Sequence, residues 1–255
     1  MKMLKVLMVG CNGKMGQMIT QILNDDKEMK IMAGVDCFTE TTNPYPVFSK
    51  IEDCKVEVDV VIEFSVVEAI DSLLEYCIQK KLPLVICTTG LSGEQQKAIE
   101  KAAKEIPILK SANMSLGINL LLKLVQDVAK LLAPAGYDME IVERHHKQKV
   151  DAPSGTALAL ADAINAVLAE EYAYTYDRSK RREKRGEKEI GLSAVRGGTI
   201  VGEHDVIYAG VDEVIELKHV AYSRSVFGKG AIEAARFLAK QKAGLYSMSD
   251  VIRSH

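Results

Sequence analysis

The chain has 255 residues, 47% hydrophobic and 27% charged, which is the composition of one large or two modest domains with packed cores and excludes a disordered chain. Lys and Arg number 33 and Asp and Glu 35, so the net charge of -2 provides no global field for nucleic acid, and any anion site must be local. The apolar runs fall far short of the roughly 20 residues a membrane span needs, and Lys5 and Gly10 break up the first run before a signal-peptide core is reached.

In chain order, residues 4–9 predict a strand that is apolar on both faces, as a central parallel strand is. A helix follows over 14–23, then strands over 31–36, 58–65 and 84–88, with a helix over 66–81 whose apolar residues Ile70, Leu73, Leu74, Cys77 and Ile78 lie at i, i+3, i+4 spacing. Ser92 with Gln95 forms a capping box for a helix running to Glu105, and residues 107–111 make a fifth strand. Alternating strands and helices of this kind predict a doubly wound parallel sheet of the Rossmann type.

Beyond Asn113 the pattern changes. Residues 116–132 read as an apolar helix ended by Pro134, Ala135 and Gly136, 137–144 as a strand, and 156–170 as an Ala-rich helix. Segments 190–196, 199–208 and 212–222 read as strands split by Gly197-Gly198 and by Gly210, Val211 and Asp212, which predicts an antiparallel sheet and a smaller α+β domain. A last helix over 230–242 is placed to return to the first domain. The expected division is 1–115 with 227–255, and 116–226.

Five cysteines, Cys11, Cys37, Cys54, Cys77 and Cys87, are scattered with no C-x-x-C pair, and read as reduced thiols of a cytoplasmic protein. His145 and His146 are adjacent and no H-E-x-x-H occurs, so no metal site is expected.

Two motifs carry chemistry. Gly10, Cys11, Asn12, Gly13, Lys14, Met15 and Gly16 follow the first strand and open the first helix, where glycines let the backbone approach a pyrophosphate and the free N–H groups receive its charge. Asp36, twenty residues beyond Gly16, would accept hydrogen bonds from an adenosine ribose and repel a 2′-phosphate; Cys37 supplies no offsetting cation, although Lys14 could. NADH is therefore expected to serve at least as well as NADPH. The second motif is the run E-R-H-H-K-Q-K-V-D-A-P-S-G-T-A over 143–157, a strand end passing through a loop into a helix start. Unpaired N–H groups and the hydroxyls of Ser154 and Thr156 suit a carboxylate, Lys149 adds a point charge, and His145 or His146 a proton donor.

This run resembles the signature E-x-H-H-x-x-K-x-D-x-P-S-G-T of the dihydrodipicolinate (4-hydroxy-tetrahydrodipicolinate) reductases. Gly10 to Gly16 is similar to that family's G-x-x-G-x-M-G, Cys87-Thr88-Thr89-Gly90 to G-T-T-G, Ser111 to Ser115 to A-x-N-F-S, and Ser223 to Phe227 to S-R-x-x-F, in order along nearly the whole chain. The resemblance implies NADH- or NADPH-dependent reduction of a cyclic imine dicarboxylate, 4-hydroxy-tetrahydrodipicolinate, to tetrahydrodipicolinate, on the diaminopimelate and lysine pathway. It implies His145 as general acid/base, Lys149 as proton donor, and His146, Ser154, Gly155 and Thr156 as the substrate-carboxylate site. Cofactor contacts would fall on Gly10, Cys11, Asn12, Gly13, Lys14, Met15, Asp36, Cys87, Thr88, Thr89, Ser111, Ala112, Asn113 and Met114. Cys87 replaces the usual glycine, and Cys37 stands where NADPH-favouring members often carry Arg. The second domain would bind substrate and form a homotetramer through its sheet.

Other readings fit less of the chain. Tyr176 and Lys180 match the Y-x-x-x-K pair of short-chain dehydrogenases, but the companion T-G-x-x-x-G-x-G turn is missing. Another NAD(P)-dependent imine or carbonyl reductase, or a protein that only senses a nucleotide, would share the first motif. The basic run over 178–188 is interleaved with Glu183 and Glu187 and reads as a solvated loop more than as a nucleic-acid patch.

Overall fold

In a computed structural model of the chain, which describes residues 3–179 and 181–254, β1 (Leu4–Val9) sends Val6 and Met8 into one apolar cluster and Leu7 and Val9 into another. A strand buried on both faces belongs inside a sheet covered on both sides. α1 (Lys14–Leu23) leads to β2 (Met29–Val35) and the short β3 (Val47–Phe48); β4 (Val60–Glu63), α2 (Ile70–Lys80), β5 (Leu84–Ile86), α3 (Gly93–Ala102) and β6 (Pro107–Lys110) follow. α2 is preceded by one 3-10 turn, Val67–Ala69, where the sequence predicts uninterrupted helix from 66. The capping box of Ser92 and Gln95 is formed, and both side chains take part.

The second unit, Gly117–Arg224, corrects one expectation. After α4 (Leu116–Leu132) come β7 (Asp138–His145), α5 (Gly155–Asn165), β8 (Ala173–Tyr176), β9 (Glu189–Arg196), β10 (Gly202–Ala209) and β11 (Val214–Ala221). Their order is β11-β10-β7-β9-β8. β10 pairs antiparallel with β11 and β7, but β7 and β8 both run parallel to β9. The sheet is therefore mixed, not antiparallel, and β9 and β10 are not a hairpin: β7 lies between them. The Gly197-Gly198 segment passes over the end of β7, where Gly197 N–H donates to His145 O (2.9 Å) and Lys147 N–H to Gly198 O (3.2 Å). One face of this sheet packs Met139, Ile141, Ile190, Leu192, Val206 and Tyr208 against α4 and α5.

The first unit, Met1–Leu116 with Ser225–His255, is completed by α6 (Ser225–Leu238), β12 (Gly244–Tyr246) and α7 (Met248–Arg253). Its seven strands run in the order β12-β6-β5-β4-β1-β2-β3, and every pairing is parallel. Ala231, Ile232, Ala234, Ala235 and Leu238 of α6 join the cluster that holds Ile19 and Leu23 of α1. Strands β3, β8 and β12 and helix α7 have no counterpart in the sequence reading; at two to six residues they are too short to show a periodicity. Tyr176 ends β8 rather than sitting on a helix, and Lys180 lies outside the described residues.

The basic run is also not a freely solvated loop. Arg185 Nη1 meets Asp138 Oδ1 at 2.7 Å and its Nε meets Glu140 Oε1 at 3.0 Å, while Arg178 Nη2 meets Glu189 Oε2 at 2.7 Å. These cations neutralise carboxylates of β7 and β9. Among the described residues no helix is long and apolar enough to cross a membrane. Cys11, Cys54 and Cys77 are buried, Cys87 is half-buried and Cys37 is exposed; all are free thiols.

Candidate active site

In the first unit the parallel sheet points every strand's C-terminal end the same way, which gathers motifs far apart in sequence at one edge. Gly10 follows β1, Asp36 follows β2, Cys87 follows β5 and Ser111 follows β6. The order reverses between β1 and β4, where open α/β sheets bind ligands. Gly10 has φ +79°, and a Cβ there would lie 2.1 Å from Phe64 O; a Cβ on Gly16 would lie 2.2 Å from Gly10 O. Gly13 is different. It is the N-cap of α1 with φ -68°, and the nearest atom a Cβ would meet is 3.4 Å away. No side chain caps α1 and no acidic residue lies in its first turn, so the helix start leaves N–H groups and a dipole suited to an anion. A cavity of about 630 Å³ opens beside it, lined by Gly13, Lys14, Met15, Phe64, Thr88 and Thr89 among others.

Asp36 Oδ2 accepts Asn12 N–H (2.9 Å) and Oδ1 accepts Phe38 N–H (3.0 Å), which fixes the carboxylate and leaves lone pairs for ribose hydroxyls. Cys11 is fully buried, and burial, followed by the charge of Asp36, pushes its thiol up to about 12; only its backbone can meet a ligand. Met114 is 3% exposed within the core, so the same holds for it. Ser111 Oγ donates to Asn113 O (2.8 Å) and Asn113 Oδ1 accepts Ser115 N–H (2.9 Å), shaping the turn after β6. Open helix start, fixed carboxylate and cavity together fit a dinucleotide.

Sequence reasoning missed Glu63, the last residue of β4, whose carboxylate is 0% exposed. It accepts Ser65 Oγ–H (2.8 Å), Thr88 N–H (3.2 Å) and Cys87 N–H (3.3 Å), and also bonds Ser65 N–H and the Thr88 hydroxyl. This one anion shapes both the Phe64-Ser65 and the Cys87-Thr88 turns. Burial, with Glu63 behind it, pushes the Cys87 thiol well above its ordinary value, so that thiol is not a nucleophile.

In the second unit, His145, His146, Lys149, Ser154, Gly155 and Thr156 lie on one loop from the end of β7 to the start of α5. His145 Nδ1 is 2.6 Å from Glu143 Oε2. Arg196 grips the same carboxylate with both ends of its guanidinium, Nη1 to Oε2 at 2.8 Å and Nη2 to Oε1 at 2.7 Å, and Ser154 N–H donates to Oε1 at 2.9 Å. Burial alone would raise the Glu143 carboxyl; the hydrogen bonds from Arg196, His145 and Ser154 outweigh it and hold the group below its ordinary value. Lys149 Nζ is 2.8 Å from Asp151 Oδ1, and that bond lowers the Asp151 carboxyl. Ser154 caps α5 by accepting Ala157 N–H (3.2 Å), and its Oγ is 3.1 Å from His204 Nε2. Its own N–H and hydroxyl are thus engaged within the protein, and Gly155, the first residue of α5, has open space around its Cα while its N–H meets the Asp151 carboxylate.

Glu143 opens the quoted run but was given no role from sequence, and Arg196 and His204 were not singled out. A signal existed for the first: Met139, Ile141, Glu143 and His145 share the buried face of β7, and a carboxylate at a buried alternating position needs a partner. Arg196 and His204 carry no such mark, since only the placement of β9 and β10 on either side of β7 brings them near.

Burial, and next the adjacent His145, hold His204 down at about 4 from 6.5. Above pH 6.5 the ring is neutral folded or unfolded; as pH falls from 6.5 to 4 the unfolded chain takes up a proton that the folded site refuses. Stability present above pH 6.5 is therefore lost across that window, by about 3 kcal/mol in all. Urea unfolding of the wild type and His204→Gln at pH 7 and pH 4.5 checks this: the substitution is expected to flatten the dependence, and equal losses in both chains would refute it.

Among the described residues no cluster of three or more His, Cys, Asp or Glu could hold a metal ion. Models described as dihydrodipicolinate reductase, N-terminus, and dihydrodipicolinate reductase, C-terminus, match residues 4–114 and 117–252. A protein of Caldanaerobacter subterraneus subsp. tengcongensis named 4-hydroxy-tetrahydrodipicolinate reductase is 53% identical over 251 residues, covering 98% of this chain and 99% of that one. One of the same name from Clostridium tetani is 49% identical over 252 residues, 99% and 98% of the two chains. The fold is similar to that of a dipicolinate-bound dihydrodipicolinate reductase from a Paenisporosarcina species, with a TM-score of 0.83 at 24% identity over 97% of this chain and 99% of that one.

Proposed function

The chain belongs to the dihydrodipicolinate reductase family, and from that premise we propose how its own residues carry out the NAD(P)H-dependent reduction of 4-hydroxy-tetrahydrodipicolinate to tetrahydrodipicolinate, a step of diaminopimelate and lysine biosynthesis. The observation that carries the proposal is the loop joining His145 and Lys149 to the start of α5, where cations and N–H donors sit together for a small dianion.

Reduced nicotinamide, when bound, supplies a hydride to the substrate ring. Elimination of the 4-hydroxyl as water and hydride addition leave electron density on the ring that one proton must quench. Lys149, half-exposed on the loop, delivers that proton; its partner Asp151 is exposed, and an exposed ion pair is weak enough to exchange for a substrate carboxylate. His145 serves as acid/base. His146 and the N–H groups of Gly155 and Thr156 receive a carboxylate, with the dipole of α5 behind them, and Ser154 supports that helix start from beneath. In the first unit the start of α1 holds the pyrophosphate and Asp36 the ribose, with Cys87, Thr88, Thr89 and the turn over Ser111, Ala112, Asn113 and Met114 supplying further backbone and hydroxyl contacts.

We assign residues 1–115 and 227–255 to dinucleotide binding and 116–226 to substrate binding and assembly of a homotetramer, in the cytoplasm. Exposed Val195 and Val214, on the face of the sheet turned away from α4 and α5, support assembly through the sheet of the second unit.

The test is loss of absorbance at the nicotinamide band when the purified chain meets fresh imine substrate made by the preceding synthase. NADH is expected to give a kcat/KM at least equal to that with NADPH, because Asp36 faces the ribose site and Cys37 brings no cation. A strong preference for NADPH overturns the role of Asp36, and no oxidation of either cofactor overturns the activity.

A further inference from the structure

A carboxylate with no contact to solvent is retained in the second unit, and its four hydrogen bonds, from three residues, define a tautomer. Glu143 is 0% exposed. Its Oε1 accepts from Arg196 Nη2 and Ser154 N–H, and its Oε2 from Arg196 Nη1 and His145 Nδ1, at 2.6 to 2.9 Å. An ionised carboxylate only accepts hydrogen bonds, so the proton of this contact belongs to Nδ1 of the imidazole. Nε2 is then the nitrogen that can gain or lose a proton, and it faces Gly202, where a Cβ would stand 3.1 Å away. Arg196 compensates the buried charge, which would otherwise cost several kcal/mol, and its Nη2 also donates to Asp151 O at 2.6 Å.

We propose that Glu143, charge-compensated by Arg196, is a positioning residue for the reduction: it locks His145 in the Nδ1–H tautomer and presents Nε2 as the atom that exchanges the proton. The same carboxylate holds Ser154 N–H at the start of α5, so one buried anion sets the acid/base group and the carboxylate-binding helix in a common frame. The proposal rests on His145 being the acid/base group, and its test separates the two claims.

The test measures the histidine tautomer directly, by nitrogen-15 NMR of histidine-labelled protein with His145→Asn to assign the signal, alongside kcat and KM. In the neutral ring of the wild type, Nδ1–H is expected. Glu143→Gln puts an amide where four donors converge; it is expected to shift the ring toward Nε2–H and to lower kcat by about 100-fold or more, with KM and NADH affinity within threefold. Glu143→Asp keeps the charge but withdraws the carboxylate by one methylene, and is the variant to use if Glu143→Gln does not fold; its kcat is expected to fall at least tenfold with Nδ1–H partly retained. An Nε2–H wild type, or a Glu143→Gln chain with tautomer and kcat both unchanged, overturns the tautomer lock. A switched tautomer with kcat unchanged also overturns the positioning role, and in that case the fault lies with His145 as acid/base. Loss of KM and kcat together with the wild-type tautomer reduces Glu143 to a structural group.

Discussion

Replacing Lys149 by alanine is expected to lower kcat by about 10²- to 10⁴-fold, the usual worth of a positioned proton donor, while leaving NADH affinity and thermal stability almost unchanged. The reason for the separation lies in its surroundings. The Lys149 side chain is 22% exposed and its partner, Asp151, is 57% exposed, so truncation leaves no uncompensated buried charge and stability should move by no more than about 0.5 kcal/mol. His145→Ala should also lower kcat, but it strips Glu143 of a donor in a fully buried position and should lose about 1–3 kcal/mol of stability besides. Steady-state kinetics, fluorescence titration with NADH and a melting curve on both variants test this pair. If NADH affinity drops in step with kcat/KM, Lys149 moves out of the proton path and into cofactor binding.

Gly10→Ala is expected to damage the first unit more than any other single-methyl change in its motif. At φ +79° an alanine costs about 1–2 kcal/mol. Its Cβ would also press on Phe64 O at 2.1 Å, a backbone atom that no rotamer change can move. Forced overpacking adds about 1–3 kcal/mol, and a Tm lower by about 5–15 °C follows for a chain of this size. Gly13→Ala is the contrast. Its φ is -68° and an added Cβ would meet nothing nearer than Gly10 O at 3.4 Å, an ordinary contact, so the fold should keep its Tm within about 3 °C. The added methyl stands where a pyrophosphate would approach, and NADH affinity should fall about tenfold. Normal NADH binding by Gly13→Ala would remove the start of α1 from the cofactor site, whereas a wild-type Tm for Gly10→Ala would show that the turn can rebuild itself.

These two substitutions separate what a glycine motif does for the chain from what it does for a ligand. Letters alone do not make the distinction, because Gly10, Gly13 and Gly16 look alike in the sequence, and the positive φ of Gly10 together with Phe64, fifty-four residues on, makes it obligatory. Glu63 shows the same limit. It reads as a single carboxylate ending an apolar strand, but the fold surrounds it with donors from two turns.

The parallel sheet was legible because its signals are local: β1, α1 and α4 have the bounds that periodicity predicts, and strands buried on both faces announce a covered sheet. The length and the near-neutral composition likewise pointed to packed cores and to a local anion site, and the loop from His145 to Thr156 is contiguous, so its cations and helix start could be read directly. Strand partners could not. A Gly-Gly between two apolar runs suggests a hairpin, yet β7 intervenes, since pairing is decided by which apolar faces close over α4 and α5 and not by the turn. That nonlocal choice sets Arg196 and His204 on either side of Glu143 and His145. Residue types alone say which side chains can carry a proton, but the nitrogen of His145 that bears it is set by the folded chain, because a tautomer depends on a hydrogen-bond partner, here held at 2.6 Å.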